Sequence, residues 1–435
     1  MAIGLGAGLW AASFMSLRGY QHRPPFAEEH NLAVHLALGH GFLSPFDLSA
    51  TAPPSAYNAP LYPMIIAAAY RIFGIRDPEA VSFLMLLNAL CFGASAAAIH
   101  ELARLLFRAR SPALLASLVF ALHPMFLFYA GDFWDGMLSL TLLLWVTVGA
   151  FWIGAAAERD QRTPPVSAVA LGASMGLLAL TNTVHVMTCP VLLALAFPRR
   201  LRARRWGLAC IALAVCLMVL APWTIRNVRA FGRLLFVRTG FGLALWLGNE
   251  PVGKGWLDAA TYRLHPAANT AERRSLLTLG EPAYNDFCAE RFRRRLAEDP
   301  LGFGRRCLRR IGYLLIDEPT EPAPFPFLAN YRWRGIILDK VLLNATLAAL
   351  GLAGILAAQR LRYRPGLIAG LMLCTALPFI PTAVIDRYAL PLRALLLLFA
   401  ASFVWMIGVR IRSGQWPTPP PAVTSPAGSS MRLPI

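Results

Sequence analysis

Four places in this 435-residue chain put ionisable side chains where they could act on a substrate. Glu28 and Glu29 form an acidic pair between an apolar run, Ile3 to Leu17, and a Pro-rich polar stretch that reaches Pro60. A carboxylate beside apolar surroundings can serve as a general base when its pKa is tuned upward. The plainer alternative is a solvated acidic pair. Asp132 and Asp135 occupy Gly131-Asp-Phe-Trp-Asp-Gly136, at the start of another apolar run. Ionisable groups at such a depth are costly and tend to be functional. An Asp at a helix start is equally a good N-cap, and for Asp135 the two roles are compatible. Arg226 and Arg229 close one apolar run, and Asp386-Arg387-Tyr388 opens another. Guanidinium groups at a membrane surface can grip phosphate oxygens through parallel N–H donors. They can also simply snorkel beside an interfacial Trp. Lys254 is one of only two lysines, with Lys340, and is a further phosphate-contact candidate.

The elements that must position these residues are membrane helices. The chain is 57% hydrophobic and 15% charged, against roughly 25% charged in soluble domains. Its apolar residues cluster into runs that match a bilayer core at about 1.5 Å per residue. Spanning candidates are Ile3 to Leu17, Val81 to Phe107, Pro112 to Tyr129, Met137 to Ala157, Val166 to Leu180, Val184 to Phe197, Trp206 to Trp223, Val341 to Ala358, Gly366 to Ile380 and Leu390 to Val409. The first has no basic flank of a cleaved signal and reads as a short membrane helix. Leu61 to Gly74 is too short to span and reads as a helix lying at the interface. The fold class is therefore an all-α polytopic membrane protein of about ten transmembrane helices, with interfacial helices and one large helical segment outside the membrane.

Charge placement gives an orientation. The net charge is +18, but the arginines mostly sit at the ends of apolar runs. With the amino terminus in the cytoplasm, the connections Arg108 to Arg110, Glu158 to Arg162, Arg199 to Arg205 and Gln359 to Arg364 all fall inside, each with at least two Arg. Ala130 to Gly136 and Thr181 to Thr183 fall outside and carry none, and Pro381 to Ala389 carries only Arg387. This is the positive-inside pattern. It puts Arg18 to Pro60 and Thr224 to Arg334 on the outer, periplasmic side.

The large outer segment should hold two helices, Glu281 to Glu298 and then, after Asp299-Pro300, a second to about Leu315. They carry Arg291, Arg293, Arg294, Arg295, Arg305, Arg306, Arg309 and Arg310. Such helices suit an interface, or attract an anionic lipid-linked substrate. No aromatic interleaving marks a nucleic-acid platform. The seven cysteines show no metal-ligand spacing. Cys288 and Cys307 could pair, and otherwise the cysteines read as small core residues. The histidines form no zinc-hydrolase pattern; His265 and His40 are the best placed for a metal. No metal site and no cofactor are assigned, and a divalent metal stays compatible.

In order, the chain presents an acidic residue after helix one, Ala59-Pro-Leu-Tyr62-Pro63, Trp134-Asp135, Pro222-Trp-Thr-Ile-Arg-Asn227, Phe241-Gly-Leu-Ala-Leu-Trp-Leu-Gly-Asn249, Gly280-Glu281, Asp299-Pro300 and Arg387-Tyr388. The ordered set resembles the bacterial C-type (GT-C) membrane glycosyltransferases, related to protein O-mannosyltransferases and aminoarabinose transferases. The resemblance covers nearly the whole chain to about Val409. It implies transfer of a hexosyl or pentosyl group from a polyprenyl-phosphate-linked sugar donor to an acceptor hydroxyl on a lipid, glycan or protein, outside the bacterial cytoplasmic (inner) membrane. Membrane lipids are the other partners, and nucleic acid is not one. On this resemblance Glu29, four residues before Ala33, matches the first-loop catalytic carboxylate. Glu28 and Asp135 are the other catalytic candidates. Arg387 and Tyr388 match an Arg-Tyr near the carrier phosphate, and Arg226, Arg229, Lys254 and Tyr62 complete the substrate-binding set. Residues 1–409 then form one transferase module, with 18–80 as its first outer loop, 224–334 as its large outer segment, and 410–435 as a disordered cytoplasmic tail. Two other classes compete. An O-antigen polymerase or ligase would not need the carboxylate after helix one, and a lipid-linked sugar transporter or flippase should show internal repeats.

Overall fold

The computed structural model describes residues 2–17, 28–131, 134–158, 164–198, 204–255, 257–317, 342–363 and 365–418. Most of the tail assigned to 410–435 lies outside them, as does Asp132. Among the described residues the chain's regular elements are helices, and one isolated β-bridge joins Leu43 and Pro54. Its helices are α1 (Ala2–Leu17), α2 (Glu28–Ala37), α3 (Leu61–Phe73), α4 (Pro78–Phe107), α5 (Arg110–Leu122), α6 (Pro124–Ala130), α7 (Gly136–Glu158), α8 (Pro165–Thr181), α9 (Cys189–Ala196), α10 (Arg204–Phe231), α11 (Phe241–Asn249), α12 (Ala259–Tyr262), α13 (Thr270–Leu279), α14 (Glu281–Glu298), α15 (Pro300–Ile316), α16 (Thr346–Arg360), α17 (Gly366–Ala376) and α18 (Leu390–Ser413).

Five helices among the described residues are long and apolar enough to cross a membrane, or six if α5 and α6 count as one bent span. The protein is thus an all-α polytopic membrane protein. A total of about ten spans would require the shorter apolar helices Ala2–Ser13, Pro165–Thr181, Thr183–Ala196 and Gly366–Phe379 as well. Two of the expected straight spans are broken. The run Pro112 to Tyr129 bends by 62° between α5 and α6. Pro124 disfavours helical backbone at His123, which is extended (ψ 122°) and caps α6 by accepting from the Met125 amide. The run Val184 to Phe197 starts as a 3-10 helix, Thr183–Thr188, capped by the Asn182 side chain, and becomes α9 only at Cys189.

Apolar surface offers little drive between helices in lipid, so close backbone approach matters instead. A Cβ on Gly172 of α8 would collide with the Ala212 carbonyl of α10, and one on Gly354 of α16 with the Phe399 carbonyl of α18. Two arginines act inside the frame. Arg393 of α18 has 0% exposure. It donates to the carbonyls of Leu314 (3.1 Å) and Tyr313 (2.9 Å) and lies 3.7 Å from the Asp317 carboxylate. Arg310 of α15 is equally buried and donates to the carbonyls of Gly255, Ile380 and Gly248. Helix α15 is therefore fastened to the start of the last membrane helix. Arg310 is a strut, in contrast to the exposed attractor that a basic helix suggested. Asp299 caps α15 through the Gly302 amide (2.7 Å) as its sequence implied. Cys288 and Cys307 are both free thiols.

Candidate active site

The acidic pair begins α2, a helix pinned on several sides. His30 Nδ1 meets the Tyr70 hydroxyl at 2.7 Å, His35 Nε2 meets the Asp47 carbonyl at 2.8 Å, and Asn31 donates to the Pro45 carbonyl at 2.8 Å. Those contacts turn the second carboxylate inward. Glu29 is 5% exposed and accepts from Asn58 Nδ2 at 3.1 Å. Its Oε2 is buried with no hydrogen-bond partner among the described residues. Burial raises the Glu29 pKa well above the usual carboxylate value; Asp135 adds to the rise and Arg387 opposes it. Three segments far apart in sequence thus converge electrostatically.

Asp135 immediately precedes α7 and accepts from Asn182 Nδ2 at 2.9 Å. Burial raises its pKa too, opposed first by Arg387 and then by Arg238. The Arg387 guanidinium lies 3.6 Å from the centre of the Trp134 ring, a cation–π contact. Tyr388 stacks on Phe379 with centroids 4.3 Å apart and planes 12° apart. Asp135, Arg387 and Tyr388 line one cleft with Ser139, Asn182 and His185.

The segment between α10 and α15 also reaches this group. Glu28 lies 3.9 Å from His265 Nδ1, and His265 Nε2 meets the Tyr57 hydroxyl at 2.8 Å. Burial lowers the His265 pKa, with Glu28 opposing. Glu281, at the start of α14, binds the same loop. It accepts from the Ser55 hydroxyl, the Ala56 amide (2.8 Å) and Thr239 (3.0 Å). Asn58, which holds Glu29, is two residues beyond Ala56.

The structure brings Glu28, Glu29, Asp135, Arg387 and Tyr388 into one neighbourhood. It applies Arg226 elsewhere. That guanidinium donates to the carbonyls of Ser55 (2.6 Å) and Phe42 (2.7 Å) and packs over Trp223, so it braces the first loop. Arg229 and Lys254 are exposed. Tyr62 is fully buried where α3 packs with Ala33 of α2 and Leu84 of α4. Of the two histidines offered for a metal, His265 pairs with the Tyr57 hydroxyl and the Ala267 amide, with Glu28 3.9 Å away, while His40 packs beside His35. Sequence reasoning missed Asn58, Tyr57, Asn182 and Arg238. An Asn or Tyr in a polar loop carries no spacing signal, and only the fold shows which carboxylate it touches.

No family model and no curated protein sequence matches the chain. Solved structures do. The archaeal oligosaccharyltransferase AglB from Archaeoglobus fulgidus, solved with an inhibitory peptide and a dolichol-phosphate, overlays with a TM-score of 0.51 at 15% identity. The match covers 90% of this chain and 47% of that one. The chain has the GT-C fold. The chain spans about half the length of the oligosaccharyltransferase chain it matches. Two structures of ArnT from Cupriavidus metallidurans, one apo and one bound to undecaprenyl phosphate, overlap with TM-scores of 0.35 and 0.36 at 17% identity. They cover 89% and 88% of this chain and 74% of theirs.

Proposed function

We propose that the protein transfers a sugar from a polyprenyl-phosphate-linked donor to an acceptor hydroxyl at the periplasmic face of the inner membrane. The observation that carries this reading is the convergence of buried Glu29 with half-buried Asp135 and Arg387 within a GT-C membrane fold. Glu29 is the base. It takes the acceptor proton as the hydroxyl oxygen attacks the anomeric carbon, and its raised affinity for a proton makes it a stronger base than an exposed carboxylate. The bond from the anomeric carbon to the phosphate oxygen breaks, and polyprenyl phosphate leaves with the electron pair. A phosphate leaving group is already anionic, so it needs positive charge more than a proton. Arg387 supplies that charge, held in place by Trp134. A single displacement inverts the anomeric centre. Asp135 accompanies both groups: it raises the affinity of Glu29 for protons and keeps a carboxylate beside Arg387.

The test is direct. Reconstituted protein is offered a panel of polyprenyl-phosphate hexoses and pentoses together with envelope lipid acceptors, and released polyprenyl phosphate is measured. The reading expects release from at least one donor, dependent on Glu29 and Arg387. Acceptor-dependent release that survives the loss of both side chains would refute it.

A further inference from the structure

The cleft below Asp135 and Arg387 has a polar wall; Asn182 in it holds Asp135, and the proposed chemistry leaves the rest unused. Ser139 lies one turn after Asp135 on α7, Asn182 and His185 flank the start of the 3-10 helix, and Thr375 comes from α17. Ser139 and His185 are 3% and 2% exposed. The Ser139 hydroxyl meets His185 Nε2 at 2.7 Å. His185 Nδ1 is buried with no hydrogen-bond partner among the described residues. A buried polar atom left unpaired is costly, so it calls for an explanation.

Three ligands can be weighed by chemistry. A nucleophilic serine needs its histidine oriented by a third group on the other ring nitrogen, and here that nitrogen is unpartnered. An isoprenoid tail would need apolar walls in place of Ser139, Asn182, His185 and Thr375. An anion seated deep in the cleft would face the Asp135 carboxylate. A sugar ring matches the lining in chemistry: neutral hydroxyls for neutral donors and acceptors, and aliphatic ring carbons for the stacked Phe379–Tyr388 pair. We infer that Ser139, Asn182 and His185 form the subsite for the donor's sugar ring, with His185 Nδ1 bonding one ring hydroxyl. The assignment deepens the proposed transfer and rests on it.

The test measures equilibrium binding, without turnover, to protein in lipid nanodiscs. The probes are tetraprenyl phosphate and the same lipid carrying a hexose or a pentose. His185→Gln reproduces the Ser139 contact and removes the Nδ1 position; His185→Asn does the reverse. Wild-type protein should bind one sugar-bearing lipid more tightly than the bare phosphate. His185→Gln should lose about tenfold of that preference, the weight of one buried hydrogen bond, with bare-phosphate binding unchanged. His185→Asn should keep more of it, and Ser139→Ala should fall between. Equal weakening for all three lipids would place the phosphate or the tail there and overturn the inference, as would wild-type preference in His185→Gln. Failure of the transfer reading looks different: wild-type protein would bind none of the three.

Discussion

Replacing Glu29 by Gln removes a base while sparing its surroundings. Gln has the same shape, and its amide oxygen can still accept from Asn58 Nδ2, now at 3.1 Å from Oε1. The contacts that pin α2, His30 to Tyr70 and His35 to Asp47, involve neither carboxylate oxygen. The loss should therefore fall on chemistry. A positioned general base contributes roughly two to four orders of magnitude, or about 3–5 kcal/mol of barrier. The pH dependence has a definite sign. Burial raises the folded pKa of Glu29, so wild-type turnover should rise with pH through a value above the usual carboxylate range. The same shift means that folding stability from this group is present at low pH and is lost as pH rises through the folded pKa. Glu29→Gln should then match wild-type thermal stability at low pH and exceed it at higher pH. The assay is donor-dependent release of polyprenyl phosphate across pH, paired with melting curves at the same pH values. Near-normal turnover with an unchanged acid limb would refute the assignment and make Asp135 the next candidate.

Arg387→Lys should insert normally yet lose about ten- to a hundredfold in donor-dependent turnover, since a point charge replaces a two-pronged donor. Exposed Arg229→Lys is the matched control and should be near wild type. Arg393, three residues into α18, is not a usable control: its buried contacts should make Arg393→Lys destabilising by about 3 kcal/mol, read by detergent-resistant melting. Glu281→Ala strands the Ser55, Ala56 and Thr239 donors and should cost about 2–4 kcal/mol, while Glu281→Gln should cost clearly less. Proteolysis of the loop between α2 and α3 reports that difference.

The membrane character of the chain was legible because bilayer thickness fixes the length of an apolar run, and α4, α7, α10 and α18 are such runs. The α14 and α15 boundaries were legible through Asp299-Pro300, a cap and first-turn proline that act locally. The bend at His123 was hidden in a continuous apolar run. Pro124 was the available signal, since it acts on the residue before it. Glu29, Asp135 and Arg387 could be named individually from depth and charge. Their shared environment depends on how α2 meets α7 and α18, which no local pattern encodes. Arg226, Arg310 and Arg393 show why arginines in an apolar chain mislead. Sequence marks each as a cation at a membrane boundary, while a carbonyl-lined site turns it into a fold-internal donor.

The same buried arginines bear on how the site keeps its shape. Arg387 lies in the 3-10 turn Asp386–Ala389 that leads into α18, six residues before Arg393. Arg393 ties α18 to the α15 carbonyls at 313 and 314, and Arg310 ties α15 back to the Ile380 carbonyl. The turn carrying Arg387 is thus held from both sides by donors that never meet a substrate. On the opposite wall, Glu281 and Arg226 both grip residues 55 and 56 or their neighbours, and Asn58 follows within the same loop. Charge is spent twice in this fold. Buried ions with many partners fix two walls, and between them sits Glu29 Oε2, a buried carboxylate oxygen with none among the described residues. A desolvated acceptor on a rigid wall is costly in the resting protein, and it is the group best prepared to take a proton when an acceptor hydroxyl arrives.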